Sequence, residues 1–306
     1  METALLDKPA SSLVDFQNIY QRVTDVIIEQ LEVGTIPWQQ PWIGDHRTLL
    51  GLPFNYTTGN YYQGINIVLL WCSAIKNKYN SDEWGGFQQW KDKDEAVRKD
   101  EKGSLVVYYN TIEKEVDGKI EKIPFLKSLK VFNRCQLASY NQKLSFNEQE
   151  VIPSLVEKIS IVDEFVANPK AIIEQHDGGA CYIPSSDKIM LPHSEKFQGS
   201  ANCTATEGFY SVLFHELTHW SGAKHRLNRE WGKKFGDKDY SAEELVAELG
   251  AAFLTKGFGL ATLEKGDHAG YIDHWLKVLK ENNRFIVTAA GEAAKAVDYL
   301  QHLQQI

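Results

Sequence analysis

No two cysteines of this chain lie close enough in sequence to form a C-x-x-C. The four (Cys72, Cys135, Cys181 and Cys203) are scattered, which argues against a disulfide framework and against a cysteine-based zinc knuckle. Long apolar runs are missing as well. The longest, over residues 65–74, is interrupted by Asn66 and falls far short of the ~20 residues that a membrane span needs. Residues 1–8 offer no apolar stretch of the secretory kind, so a cytoplasmic protein without a membrane partner is expected. Positive charge is in deficit: 33 Lys and Arg face 41 Asp and Glu, for a net charge of −8. Residues 1–140 contribute −2 of this and residues 141–306 the remaining −6. No global positive field collects nucleic acid, so any such site must be local.

The 306 residues, 43% apolar and 24% charged, describe a soluble globular chain of about two domains. The fold class expected is α+β. A mixed N-terminal domain over about 1–140 is joined by a polar stretch at 141–153 to a helix-rich domain over 150–306. In the first, apolar residues from Leu13 to Leu31 recur at helical spacing until Gly34 and Pro37. A loop rich in proline and aromatics follows, then helices over 65–76 and 84–91. Residues 103–140 read as β, with a turn at Asp117-Gly118. In the second domain, a helix over 155–167 and a hairpin of 180–183 with 188–191 precede helices near 206–220, 241–256, 268–282 and 284–303.

The sharpest motif is His215-Glu216-Leu217-Thr218-His219. Residues four apart share one helix face. Both imidazoles can therefore grip one divalent metal, with Glu216 beside the open position as general base. Such a site suits Zn2+, with Mn2+ as the alternative. In a peptidase the metal activates water and polarises the scissile carbonyl, while Glu216 moves the proton. Edge strands of the 180–191 hairpin can lend backbone groups to an extended peptide. His193, Arg226 and Tyr240 are candidate oxyanion donors.

The third ligand has three candidates. His225 completes a metzincin string with Gly222, but metzincins need a downstream methionine turn, and the only methionines are Met1 and Met190. Glu244 and Glu248 share one face of a helix lined with small residues, where carboxylates rarely go unpartnered. Glu244 as ligand, with Glu248 one turn on as partner to a ligand histidine, accounts for both. A capping box of Ser241 with Glu244 would instead leave Glu248 as the ligand.

Further motifs carry a resemblance. His215-Glu-Leu-Thr-His-Trp-Ser-Gly, Arg226-Leu-Asn-Arg229 and the run from Tyr240 to Phe253 resemble the ArdC-type antirestriction proteins. So do Pro37-Trp38-x-x-Pro41-Trp42, Thr58-Gly59-x-x-Tyr62-x-Gly64-Ile65-Asn66, Val97 to Gly103 and Val131-Phe132-Asn133. The resemblance covers nearly the whole chain. It implies an N-terminal domain that binds single-stranded DNA and a C-terminal zincin-like metallopeptidase domain. It also implies protection of incoming plasmid or phage DNA, with a protein substrate or a host restriction enzyme as a further partner. Single-strand binders combine stacking aromatics with a local basic groove. The candidates are Trp38 and Trp42 in the proline-rich loop, with Arg98, Lys99 and Lys102. Two other readings remain: a non-catalytic DNA-coating protein with a structural metal, and an unrelated cytoplasmic metalloprotease.

Overall fold

The computed structural model describes residues 11–39, 50–116, 119–140, 156–200, 203–229, 238–262 and 268–304. Trp42 and the 141–153 stretch lie outside them.

Helix α1 (Ser11–Glu32) opens the chain and ends where expected, with Gly34 in the left-handed region at φ +83°. Strand β1 (Phe54–Asn55) leads to α2 (Ile65–Asn77), buried on most of its surface. Residues 84–91 do not form one helix. Trp84 belongs to strand β2 (Glu83–Gly85), and only Phe87–Lys91 is helical, as α3. The reason is local: a Cβ at Gly85 would stand 2.9 Å from the Trp90 indole, so this glycine lets the Trp90 ring close over the strand. Strands β3 (Ser104–Val116) and β4 (Lys119–Asn133) pair antiparallel as expected, with Val116 opposite Lys119; the Asp117-Gly118 turn expected between them lies outside the described residues. The sheet order is β1-β2-β4-β3.

Helix α4 (Ser160–Ala167) starts later than its apolar pattern suggests. The backbone N–H groups of Glu157 and Ile159 donate to Thr206 and Tyr210 side chains, which holds the chain extended there. A second sheet, ordered β5-β7-β6, contains β5 (Ile172–His176), β6 (Cys181–Ile183) and β7 (Lys188–Pro192). The β6–β7 hairpin was expected; β5, parallel to β7, was not. Its irregular exposure leaves no two-residue alternation to read. Four helices complete the fold: α5 (Ala205–Ser221), α6 (Lys238–Gly257), α7 (His268–Glu281) and α8 (Phe285–His302).

The result is the expected α+β architecture, but its two halves share a core. Val23, Ile27 and Leu31 of α1 and Leu69 and Trp71 of α2 pack in one cluster with Leu249 and Phe253 of α6, Trp275 of α7 and Ile286 of α8. A second cluster joins α4, β6, β7 and α5 to Leu254 and Leu300. Helix α6 thus faces the N-terminal half on one side and α5 on another. Its small residues serve the second contact: a Cβ at Gly250 would fall 2.6 Å from Thr218 Cγ2 of α5.

Candidate metal centre

Helix α5 begins at a reciprocal cap. Thr204 Oγ1 accepts the Glu207 N–H, while the Glu207 carboxylate accepts the Thr204 N–H. Three turns on, His215 and His219 project side by side, with Nε2 atoms 3.1 Å apart. Glu244 of α6 closes the triangle. Its Oε2 lies 3.6 Å from His215 Nε2 and its Oε1 3.6 Å from His219 Nε2. Tetrahedral ligands about 2.1 Å from a zinc ion stand roughly 3.4 Å from one another. The three ligand atoms therefore fit one small divalent ion, and among the described residues this is the one such cluster. Helix α6 is already helical at Lys238, so Ser241 does not cap it and the capping-box account of Glu244 fails.

The electrostatics ask for a cation. Burial alone would lower the His215 pKa, but the Glu244 carboxylate beside it and the charges of Glu216 and Glu248 reverse this, leaving it raised. Glu216 is 5% exposed, and its Oε2 has no partner among the described residues. A buried carboxylate oxygen without a partner, next to three convergent potential ligands, is rare in a folded protein and calls for a cause.

One sequence expectation needs correction. Glu248 is not the carboxylate that holds a ligand histidine. Its Oε2 accepts the Trp38 indole N–H at 3.2 Å and the Gln39 amide N–H at 3.1 Å. His219 Nδ1 instead meets Glu243 Oε1 at 3.1 Å. Arg229 grips that carboxylate twice, Nε to Oε2 at 2.9 Å and Nη2 to Oε1 at 2.8 Å, with both side chains 5% exposed. Burial would raise the Glu243 pKa, yet His219 and Arg229 hold it below its usual value. The adjacent pair Glu243-Glu244 and the Arg229 motif were visible, but their division of labour depends on how α6 is rotated against α5. His225, disfavoured already by the missing methionine turn, stays away from the site: its side chain is 64% exposed and lies 3.5 Å from Asp187 Oδ2. Helix α5 stops at Ser221, and the following turns carry His225 out of reach.

Arg226 is committed to Asp187, the Tyr182 hydroxyl and the Trp220 carbonyl. His193 stands at the start of a short turn after β7, and the Tyr240 side chain lies outside the described atoms. Strand β6 is an edge of its sheet, and Ala180, just before it, lines the cavity beside Glu216. Cys181 feels Glu216 too: burial and then that charge raise its thiol pKa.

In the N-terminal half, Trp38 is 2% exposed with its N–H directed at Glu248. A ring covered in this way offers no face for a base to stack on, so Trp38 belongs to the wall of the metal cavity. Arg98 donates to Glu101 Oε1 and to the carbonyls of Cys135 and Leu137, which makes it a loop clamp. Lys99 and Lys102 are exposed. Sequence reasoning missed Phe87, 58% exposed and edge-on to Phe132 at 6.1 Å. A Cβ at Gly103 would stand 3.1 Å from the Phe132 ring and 3.0 Å from Lys130 Cβ, so the backbone next to Lys102 packs closely against both. Burial, and after it the nearby charge of Arg22, lower the Lys130 pKa. The alternation of β4 does not distinguish an exposed aromatic edge from a core residue; Phe132 was marked only by the Val131-Phe132-Asn133 motif, and Phe87 by none of the motifs.

Residues 17–132 match the family described as the N-terminal domain of anti-restriction factor ArdC, and residues 160–292 match that of the zincin-like metallopeptidases. The uncharacterised protein y4eC of Sinorhizobium fredii is 33% identical over 297 residues, spanning 94% of this chain and 92% of y4eC. A DNA primase TraC of Escherichia coli is 30% identical over 302 residues, and there the match spans 27% of the relative. The crystal structures of the antirestriction ArdC protein from the R388 plasmid, metal-free and Mn(II)-bound, are 36% identical and superpose with TM-scores of 0.76 and 0.74. Each match covers 94% of this chain and 98% of the other.

Proposed function

Since this chain belongs to the ArdC family of antirestriction proteins, we propose that it binds single-stranded DNA through its N-terminal half and hydrolyses peptide bonds at a divalent metal in its C-terminal half. The convergence of His215, His219 and Glu244 beside the unpartnered Glu216 carries the second part. A structural site has no use for an adjacent buried base.

His215, His219 and Glu244 would hold the ion, zinc first and manganese as the alternative occupant. When bound, the ion supplies Lewis acidity toward water and the scissile carbonyl. Glu216 takes the proton of the attacking water and returns it to the leaving amine. Arg229, through Glu243, fixes the His219 ring so that Nε2 faces the ion. The free edge of β6 can pair with an extended substrate backbone. Elemental mass spectrometry of the purified protein should find about one equivalent of zinc or manganese. Glu216→Ala should keep that metal and lose hydrolysis of unfolded protein substrates. An absence of metal after reconstitution would sink the reading, as would cleavage by Glu216→Ala at the wild-type rate.

For DNA, the exposed cations Lys99, Lys102 and Lys130 and the rings of Phe87 and Phe132 support a surface that tracks phosphates and stacks bases. Trp42, in the same proline-rich segment as Trp38, remains a further candidate. Affinity should favour a single strand over duplex and fall steeply with salt. Equal, salt-insensitive binding of both forms would remove this part.

A further inference from the structure

Strand β6 is three residues long and pairs on one side only, with β7. Ala180, just before it, lines the same cavity as His215 and Glu216. The strand thus passes beside the metal centre. A ladder so short gives little stability of its own, and the distance of β6 from α5 has to be set by something else. Tyr182 shares an apolar cluster with Leu217 and Trp220 of α5, but apolar contacts are not directional.

Arg226 supplies the directional part. Its Nε donates to the carbonyl of Trp220, the residue after His219, at 2.6 Å. Nη1 donates to Asp187 Oδ2 at 3.0 Å and meets His225 Nε2 at 2.7 Å. Nη2 donates to Asp187 Oδ1 and, at 3.2 Å, to the hydroxyl of Tyr182 in the middle of β6. The Tyr182 hydroxyl in turn donates to Asp187 Oδ1 at 2.8 Å. The guanidinium carbon lies 3.7 Å from the centre of the Trp220 ring, and the Arg226 side chain is 6% exposed. All three nitrogens are engaged, so Arg226 has no donor to spare for a substrate oxyanion. What the fork does is join three segments: the end of α5, strand β6, and the β6–β7 turn that carries Asp187.

We infer that Arg226 is a positioning residue: by tying Tyr182 and Asp187 to the Trp220 carbonyl, it sets the distance between the β6 edge and the metal ligands, and so where an extended peptide paired to that edge presents its scissile carbonyl. The inference rests on the peptidase reading of the metal centre and deepens it. The geometry demands arginine. A lysine keeps the charge but has no planar fork with which to reach a carboxylate twice and a carbonyl besides. Precision of this kind matters at a reacting site, where a misplacement of about 1 Å can cost ~100-fold.

The test uses the full-length, zinc-reconstituted protein and three probes. Acetohydroxamate reaches the metal alone. A succinyl hydroxamate continued by two amino-acid residues adds an extended backbone. Its depsipeptide analogue, with ester oxygens in place of the amide N–H groups, has the same shape without the donors. Calorimetric titration should show the amide probe binding at least about fivefold tighter than the ester. Arg226→Lys should bring that ratio to about twofold or less, with zinc content and acetohydroxamate affinity unchanged. Tyr182→Phe, which removes only the hydroxyl linking the fork to β6, should lower it partway. Thermal melts establish folding, and Tyr182→Phe decides the matter where Arg226→Lys is not folded. A ratio that keeps its wild-type value in the folded variants overturns the inference. So does an equal loss of acetohydroxamate binding, the signature of damage to the metal centre itself. Amide and ester probes that bind the wild-type protein alike take β6 out of the substrate path, and the role of Arg226 with it, while the metal centre stands. Acetohydroxamate that fails to bind the zinc-loaded protein removes the peptidase reading.

Discussion

Between α5 and α6, charged groups are buried and held. Glu216, Glu243 and Glu248 are 5–6% exposed, and the Arg229 guanidinium sits in the same seam. Along the four-stranded sheet of the N-terminal half the arrangement is inverted: Lys99, Lys102 and Lys130 stand in water, and Phe87 is more than half exposed beside them. The first region keeps charge in low dielectric, where Glu243 and Glu248 are each fixed by partners and their orientation is precise, and where Glu216 keeps one carboxylate oxygen unpartnered. The second leaves charge and a ring in water, which is what the proposed single-strand surface would require. A metal centre requires atoms placed to tenths of an ångström; a backbone-tracking surface requires only sign and spacing.

Substitutions on the two sides should separate cleanly. The largest effect is expected from Glu244→Ala, which removes a proposed ligand. Metal affinity should drop by more than the roughly 100-fold that loss of an outer partner costs, read by competition with a chelator. The metal-dependent rise in melting temperature should vanish with it. Arg229→Met comes next. It strands Glu243 without its buried cation and should cost about 3–5 kcal/mol of stability, measured by urea unfolding, with metal binding weakened about tenfold. Adding Glu243→Gln should restore much of the stability without restoring the affinity. Equal recovery of both would mean that the pair holds the helices together and does not orient His219.

On the other side, Phe87→Ala should weaken single-strand binding by about 1–3 kcal/mol, read by fluorescence anisotropy, with metal content and melting temperature unmoved. A matching loss of metal would break the separation of the two regions. The smallest effect concerns acid stability. The Arg226 hydrogen bond holds the Asp187 pKa below its usual value against a weaker opposing effect of burial. A carboxylate with a depressed folded pKa contributes stability above its unfolded pKa, about 3.9, and loses that contribution as pH falls through the folded value. Asp187→Asn should therefore flatten the acid limb of a melting curve below about pH 4. The change should be small, because Asp187 is 39% exposed. Asn tolerates the left-handed backbone found here, φ +53°, so the turn should survive.

Much of the metal centre was legible because helical spacing is local. Backbone hydrogen bonding alone stacks His215 over His219, and the missing downstream methionine already disfavoured His225. The small residues of α6 announced a close neighbour, and Gly250 against Thr218 is that contact. The N-terminal half was legible as elements, from α2 to the β3–β4 hairpin, but not as a surface. Trp38 looked available in its proline-rich loop and is instead packed against a carboxylate 210 residues away. Phe87 looked like part of a longer helix and is instead exposed at the start of a short one.

The sequence by itself determined that two imidazoles and a carboxylate share one helix, that a second helix offers carboxylates on a face of small residues, and that no global charge draws nucleic acid. Those are statements about neighbours within a few bonds or turns. Only the tertiary structure decided which of Glu243, Glu244 and Glu248 converges with His215 and His219, which braces His219 from behind, and which receives Trp38 and Gln39. Successive helical residues point about 100° apart, so the crossing of α6 over α5 and the shared core behind it assign each carboxylate its partner.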